Sequence, residues 1–246
     1  MKSLYLANFR RLSKSVFYIL GLLIAFAATF LFTNETIQFE GLFSQMSPAG
    51  RTYFISICII AFFTIYTPIS ICSEYSEGII RNKIISGYSQ KQIYFSGLFI
   101  QYKAVFIMWI ANILGGVAGG ARPSGSISGY MLILLIAMMS YTTLIYSISF
   151  KLQKPIRSVI ASFLLINLCI NAVLAGNFII MISKGMALKI AAICYNINVM
   201  GQWLTKTGLT DPEADPGSIA QILISCAVIA LSVLIGTAKL EKRDIQ

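Results

Sequence analysis

Residues 73–97 read SEYSEGIIRNKIISGYSQKQIYFSG and separate two long apolar runs. The stretch holds five charged residues, Glu74, Glu77, Arg81, Lys83 and Lys91, in a chain with only 19 Lys and Arg and 9 Asp and Glu. If the flanking runs cross a bilayer, this stretch is a charged insert lying on one side of it. Its reading therefore sets the topology of the whole chain.

Composition supports that frame. Of the 246 residues, 57% are hydrophobic and 11% are charged, whereas soluble domains carry roughly 25% charged residues. The expectation is an all-α polytopic membrane protein forming a single transmembrane domain over residues 1–246. The net charge of +10 would suggest nucleic acid for a soluble protein; here it reads as topology, and no nucleic-acid partner is expected. The cysteines, Cys58, Cys72, Cys169, Cys194 and Cys226, are odd in number and irregularly spaced. They read as small apolar residues, with no disulfide framework and no metal site. Histidine is absent, which removes the commonest metal ligand and general base.

Six runs have spanning length, about 16–33, 52–73, 95–118, 129–150, 158–182 and 219–238, near the roughly 20 residues a bilayer helix needs. The first lacks a small-x-small cleavage site directly after it and reads as a retained span. Pro48, Pro123, Pro155, Pro212 and Pro216 fall between runs, and Pro68 alone falls inside one, where it should kink the second span near its end. Residues 186–204 could form a seventh span, but Lys189, Asn196, Asn198 and Gln202 interrupt them. A re-entrant or interfacial helix fits better.

Lys and Arg fix the expected orientation. With the N-terminus inside, the inner segments hold Lys2, Arg10, Arg11, Lys14, Arg81, Lys83, Lys91, Lys151, Lys154, Arg157, Lys239, Lys242 and Arg243, against Glu74, Glu77, Glu241 and Asp244. The outer segments balance Arg51, Arg122, Lys184, Lys189 and Lys206 with Glu35, Glu40, Asp211, Glu213 and Asp215. Both termini and residues 73–97 are therefore expected in the cytoplasm. Lys103, within the third span, either snorkels to the inner surface or faces a wet cavity, and snorkelling fits better.

Before the first span, Met1, Tyr5, Phe9, Leu12 and Val16 share one helical face, and Arg10, Arg11 and Lys14 lie away from it. That pattern describes an amphipathic helix over residues 1–15 on the inner membrane surface; the alternative is a basic tail that only fixes topology. Within the quoted stretch, Ile80, Ile84 and Tyr88 follow i, i+4, i+8 spacing, and Ser89–Gln92 reads as a capping box opening the next helix. Glu77 would favour the N-terminus of a short helix over about 78–87 and Gly87 its stop. The apolar face cannot reach the hydrocarbon core without drawing in Arg81 and Lys83, so it could touch headgroups, or Ile80 and Ile84 could fill a soluble partner's groove with Arg81 at its rim.

Catalysis finds no support. There is no Gly-Lys dipeptide and so no P-loop, and no Asp or Glu within a span for a proton relay. The chain is not expected to be an enzyme.

With these features together, the chain resembles the permease subunits of ABC-2 type exporters, in which transmembrane and ATP-binding polypeptides are separate. The resemblance covers the whole chain: an amphipathic N-terminal helix, six spans, a cytoplasmic coupling helix between spans two and three, and short outer helices before span six. The most specific local match is EYSEGIIRNKIISGYSQKQIYFSG. It implies a cell-membrane protein whose coupling residues, Glu74, Glu77, Ile80, Arg81, Lys83, Ile84 and Tyr88, dock on a cytosolic ATPase. Two ATPase copies would carry ATP and Mg, this chain would hold no cofactor, and a second permease copy would complete the assembly. The resemblance also implies that spans two and five line the dimer interface and translocation path. Thr64 and Thr67 in span two and Asn167 and Asn171 in span five are the polar candidates there; simple interhelical hydrogen bonding is the alternative. Ala111, Gly115 and Gly119 in span three allow close helix packing. A one-domain permease of this size is similar to Gram-positive exporters of antimicrobial peptides and amphipathic peptide toxins, phenol-soluble modulin exporters among them. Export of a drug or lipid-like molecule, and a non-transporting peptide-immunity role, are the alternatives. A secondary transporter is a further class, but internal repeats and intramembrane ionisable sites are lacking.

Overall fold

A computed structural model describes residues 2–34, 36–37, 45–122, 125–238 and 240. Met1, Glu35, Glu40, Pro123, Lys239, Glu241, Lys242, Arg243 and Asp244, used above, lie outside the described residues, as does the side chain of Lys2. The protein is an all-α polytopic membrane protein, and no strand occurs among the described residues. Its helices are α1 (Lys2–Lys14), α2 (Val16–Thr33), α3 (Pro48–Ile55), α4 (Ile57–Ser76), α5 (Ile79–Ile85), α6 (Gln90–Ala118), α7 (Gly125–Leu152), α8 (Pro155–Ile182), α9 (Gly185–Ile197), α10 (Val199–Thr207) and α11 (Ser218–Thr237). Among the described residues, six segments are long and apolar enough to cross a membrane: α2, α3 with α4, α6, α7, α8 and α11.

The second crossing is a pair of helices. The expected kink at Pro68 is not where the helix is interrupted: α4 continues through Pro68, and the break falls at Ser56. There Ser56 turns back its hydroxyl to the Tyr53 carbonyl, an alternative to continuing the helical ladder that serine offers readily.

α7 is the hub. In its spanning window 72% of residues are buried, against 17% for α2 and α8, which therefore form the rim. α7 packs against α11 and α4, and Ser147 of α7 donates to the Ser232 carbonyl of α11 at 2.9 Å. On the other side, α6 meets α2 through small residues. A Cβ on Gly115 would lie 2.5 Å from the Phe26 carbonyl oxygen, and one on Gly119 would lie 2.8 Å from that of Phe30. The stripe read in span three is a backbone-to-backbone contact. Asn112, one position along, bonds the Thr29 hydroxyl at 2.7 Å.

Residues 185–207 do not make a seventh crossing, because Asn198 (φ −86°, ψ 130°) divides them into helices of 13 and 9 residues. α9 turns back antiparallel along α8: Gly176 faces the Tyr195 ring, and Asn198 donates to the Cys169 carbonyl. α10 then leads out again. The break is buried and polar, so it needs partners. Asn196 donates to the carbonyls of Ala192 and Ala214, both at 2.8 Å, and accepts from Gln221 Nε2 at 2.8 Å. Gln202 bonds the Asn196 carbonyl and Ser225.

Candidate functional site

α5 is a seven-residue helix fixed between two glycines in the left-handed region, Gly78 (φ 69°) and Gly87 (φ 87°). An added Cβ would meet no atom within 4 Å at either glycine, so backbone conformation alone demands them. Two residues further on the capping box is formed: Gln92 N–H donates to Ser89 Oγ at 3.2 Å and Ser89 N–H to Gln92 Oε1 at 3.0 Å. α5 thus bridges the ends of α4 and α6, about two turns of helix joining two long ones.

The apolar stripe of α5 faces inward, which corrects the expectation that Ile80 and Ile84 enter a partner. Ile80 is 2% exposed and packs with Leu4, Ile71, Tyr94, Tyr146 and Phe150, with Ile84 and Tyr88 against the same cluster. Period-4 spacing establishes that residues share a face but not what the face meets. Here the chain's own α1, α4, α6 and α7 supply the apolar surface. The outward face carries Glu77, Arg81, Asn82, Ile85 and Ser86, and Ile85 is 74% exposed. Sequence reasoning missed Ile85, although Glu77, Arg81 and Ile85 are themselves spaced i, i+4, i+8.

α1 clamps this bridge. Its buried line is Leu4, Asn8 and Leu12, one helical position from the centre expected; Tyr5 and Phe9 flank it. Lys83, expected among the residues that dock on an ATPase, has a side chain only 10% exposed. Its ammonium lies 2.7 Å from Glu74 Oε2 and donates to Asn8 Oδ1 at 2.9 Å, while Asn8 Nδ2 donates to Ser96 of α6 at 3.1 Å. Arg11 Nη2 donates to Glu77 Oε2 at 2.9 Å and to Ser73 Oγ at 3.1 Å. Its Nη1 lies 3.4 Å from Glu74 Oε1. Ser3 and Tyr88 share a hydroxyl contact of 2.7 Å. Lys103 reaches α1 too, its ammonium 3.7 Å from the centre of the Phe9 ring and 5.7 Å from that of Tyr5. A desolvated cation over an aromatic face is a stabilising arrangement. The result is a lever: α5 cannot tilt without straining α1, α4 and α6. Asn8, Arg11 and Ser96 complete it; Arg11 was legible only as part of the polar side of α1, and nothing marked Asn8 or Ser96, because the partners of all three lie more than sixty residues away.

The candidates for a second copy divide. Thr64 and Thr67 are buried within the subunit, and Thr64 Oγ1 shares a 2.9 Å hydrogen bond with the Tyr141 hydroxyl of α7. Thr64 thus belongs to the α4–α7 contact, Thr67 is fully buried with its hydroxyl unpaired, and neither lies on an outer surface. Asn167 and Asn171 are exposed on α8, each amide nitrogen donating back to the carbonyl four residues earlier, at 3.2 and 2.8 Å. Among the described residues no three His, Cys, Asp or Glu side chains gather as a metal site would require. No family model, curated protein or solved structure matches the chain. The site is therefore read from its own geometry: an exposed knob on a lever seated at the ends of two spans.

Proposed function

We propose that this chain is the membrane-spanning permease subunit of an ATP-driven exporter of the ABC-2 type, acting as a dimer with two separate cytosolic ATPase subunits. The observation that supports it best is α5, a short bridge with one large solvent-facing apolar residue, Ile85, beside the exposed Arg81 and Asn82, and fastened to α4 by the Lys83–Glu74 ion pair. Such a bridge transmits a push from a soluble partner into α4 and α6 as a rigid-body movement. ATP and Mg belong to the partner. The exposed amides of Asn167 and Asn171 on α8 suit a second permease copy, since an amide facing hydrocarbon gains from an interhelical partner. The excess of Lys and Arg beside α1 and α5 supports a cytoplasmic side for that end and for both termini of a cell-membrane protein. Amphipathic or antimicrobial peptides are the cargo that the resemblance favours.

The test is co-purification of the permease with a soluble ABC ATPase from the same cells, with ATP turnover measured with and without amphipathic peptide. Stable binding and peptide-stimulated turnover are expected. A permease that supports export with no ATPase bound overturns the reading. In a cysteine-free background, Asn34→Cys and Thr210→Cys should react with impermeant thiol reagents from outside, whereas Ser86→Cys and Gln153→Cys should not.

A further inference from the structure

Beside the clamp, where α1 gives way to α2 at Ser15, a chamber of about 320 Å³ opens among α1, α4, α6 and α7. Deeper along α2, and sharing Phe17 with it, runs a second space of about 310 Å³ lined almost wholly by apolar side chains such as Leu20, Ile24 and Phe62. Three polar groups of the first chamber lack full partners. Lys14 is exposed at the α1–α2 junction, Arg11 Nη1 makes no hydrogen bond, and the side chain of Gln101, 6% exposed, leaves its Oε1 unpaired. Glu74 also lines the chamber, but its two oxygens are engaged by Arg11 and Lys83.

We infer that the two spaces are one binding site for a bilayer phospholipid with an anionic, hydroxyl-bearing headgroup, its phosphate at Arg11 and Lys14, its headgroup hydroxyl on Gln101 and one acyl chain along α2. The donors and the acceptor match that headgroup. Cationic N–H groups answer the phosphate oxygens, while Gln101 Oε1, whose Nε2 is already given to Ser70 at 2.7 Å, accepts only from a donor such as a hydroxyl. Within the clamp, Arg11, Lys14 and Lys83 outnumber Glu74 and Glu77 by one positive charge. The lengths match as well. Phe17 and Ala28, at opposite ends of the apolar space, are eleven residues apart, about 16 Å at 1.5 Å per residue, which is about half of a hydrocarbon core of roughly 30 Å. One leaflet's acyl chain is that long. The polar-to-apolar change along the cavity coincides with the change from the basic α1 to the apolar α2, so headgroup and chain would sit at their natural depths. The site depends only on the chain's being a membrane protein, and not on the export reading.

Native mass spectrometry of the full-length detergent-purified protein tests this, using dioleoyl phosphatidylglycerol, dioleoyl phosphatidylcholine, dioleoyl phosphatidic acid and glycerol 3-phosphate as probes. One phosphatidylglycerol should remain on each chain after phosphatidylcholine has been stripped. Lys14→Gln, at an exposed position that cannot compromise folding, should weaken its retention about fivefold. Gln101→Leu should remove the preference for phosphatidylglycerol over phosphatidic acid, and Ala28→Phe should displace the lipid by filling the groove. Equal retention of phosphatidylcholine, or unchanged retention by Lys14→Gln, overturns the site. Binding of glycerol 3-phosphate as tightly as the lipid overturns the acyl groove and leaves only an anion chamber.

Discussion

The two ends of this helical bundle each carry short helices that do not cross it, and opposite chemistries hold them. At one end α1 and α5 are tied by charges: Arg11, Glu74, Glu77 and Lys83, two of them at least a third exposed. At the other, α9 and α10 are tied mainly by neutral amides and hydroxyls: Asn196, Gln202, Gln221 and Ser225, all at 2% exposure or less. An ion pair tolerates water and loses strength in salt, whereas a buried amide network is nearly blind to salt and costly to leave half-made. The charged end thus tolerates water, and in the proposed reading it is the end that meets a partner. The amide end is built to stay closed.

The largest effect should come from the closed end. A side chain at Gly201 would run into the Tyr195 carbonyl oxygen, a backbone atom with nowhere to move. Gly201→Leu should separate α9 from α10 and remove most of the folded protein, seen as loss of the monodisperse peak in detergent. A folded, normally melting Gly201→Leu protein would show that the turn at Asn198 is plastic. Asn196→Leu is the milder break. It deprives the Ala214 carbonyl of its partner and Gln221 Nε2 of one of two, the other being Thr205 Oγ1, and should cost about 1–3 kcal/mol, as buried polar groups left unpaired do. Its melting shift should be the same at low and high salt.

Arg11→Gln at the open end should do less. The pairs it breaks are partly exposed, so about 1 kcal/mol is the expected loss, largest at low ionic strength. A double-mutant cycle with Glu77→Gln should return a coupling energy that shrinks with salt. A coupling that salt does not touch would erase the distinction between the two ends.

These differences also separate what was legible in the sequence from what was not. Spanning helices announce themselves by length and apolarity, and both α5 and the capping box at Ser89 follow from local spacing and chemistry. The small-residue stripe at Gly115 and Gly119 was visible, but its partner α2 was not. Facing direction was hidden for the same reason. A stripe such as Ile80, Ile84 and Tyr88 suits a partner's groove or the chain's own core equally well, and only the arrival of α1 decides between them. Thr64 and Thr67 show the same limit: a polar pair in a span suits an interface, and the Tyr141 hydroxyl that satisfies Thr64 lies 77 residues away. The amide cluster at residues 196–202 argued correctly against a seventh span, while its partners Gln221 and Ser225 carried no mark of their own.

The smallest effect on stability should come from the residue that matters most to the proposed partner. Ile85 is 74% exposed, so Ile85→Asp removes little packing and should change melting by no more than about 0.5 kcal/mol. In the complex, however, its side chain would be the one large apolar group offered by the outward face of α5. Burying an unpaired carboxylate against an ATPase groove carries a heavy desolvation cost. Co-purification with the proposed ATPase should therefore fail while the protein still inserts and folds. Ile80→Asp is the matching control, because that carboxylate would be buried against Tyr94 and Phe150 within the chain itself and should unfold the clamp before any partner is involved. The pair separates the two faces of one seven-residue helix. If Ile85→Asp binds the ATPase as tightly as the parent, α5 is not the docking element, and the clamp around it must serve only to seal the end of the bundle.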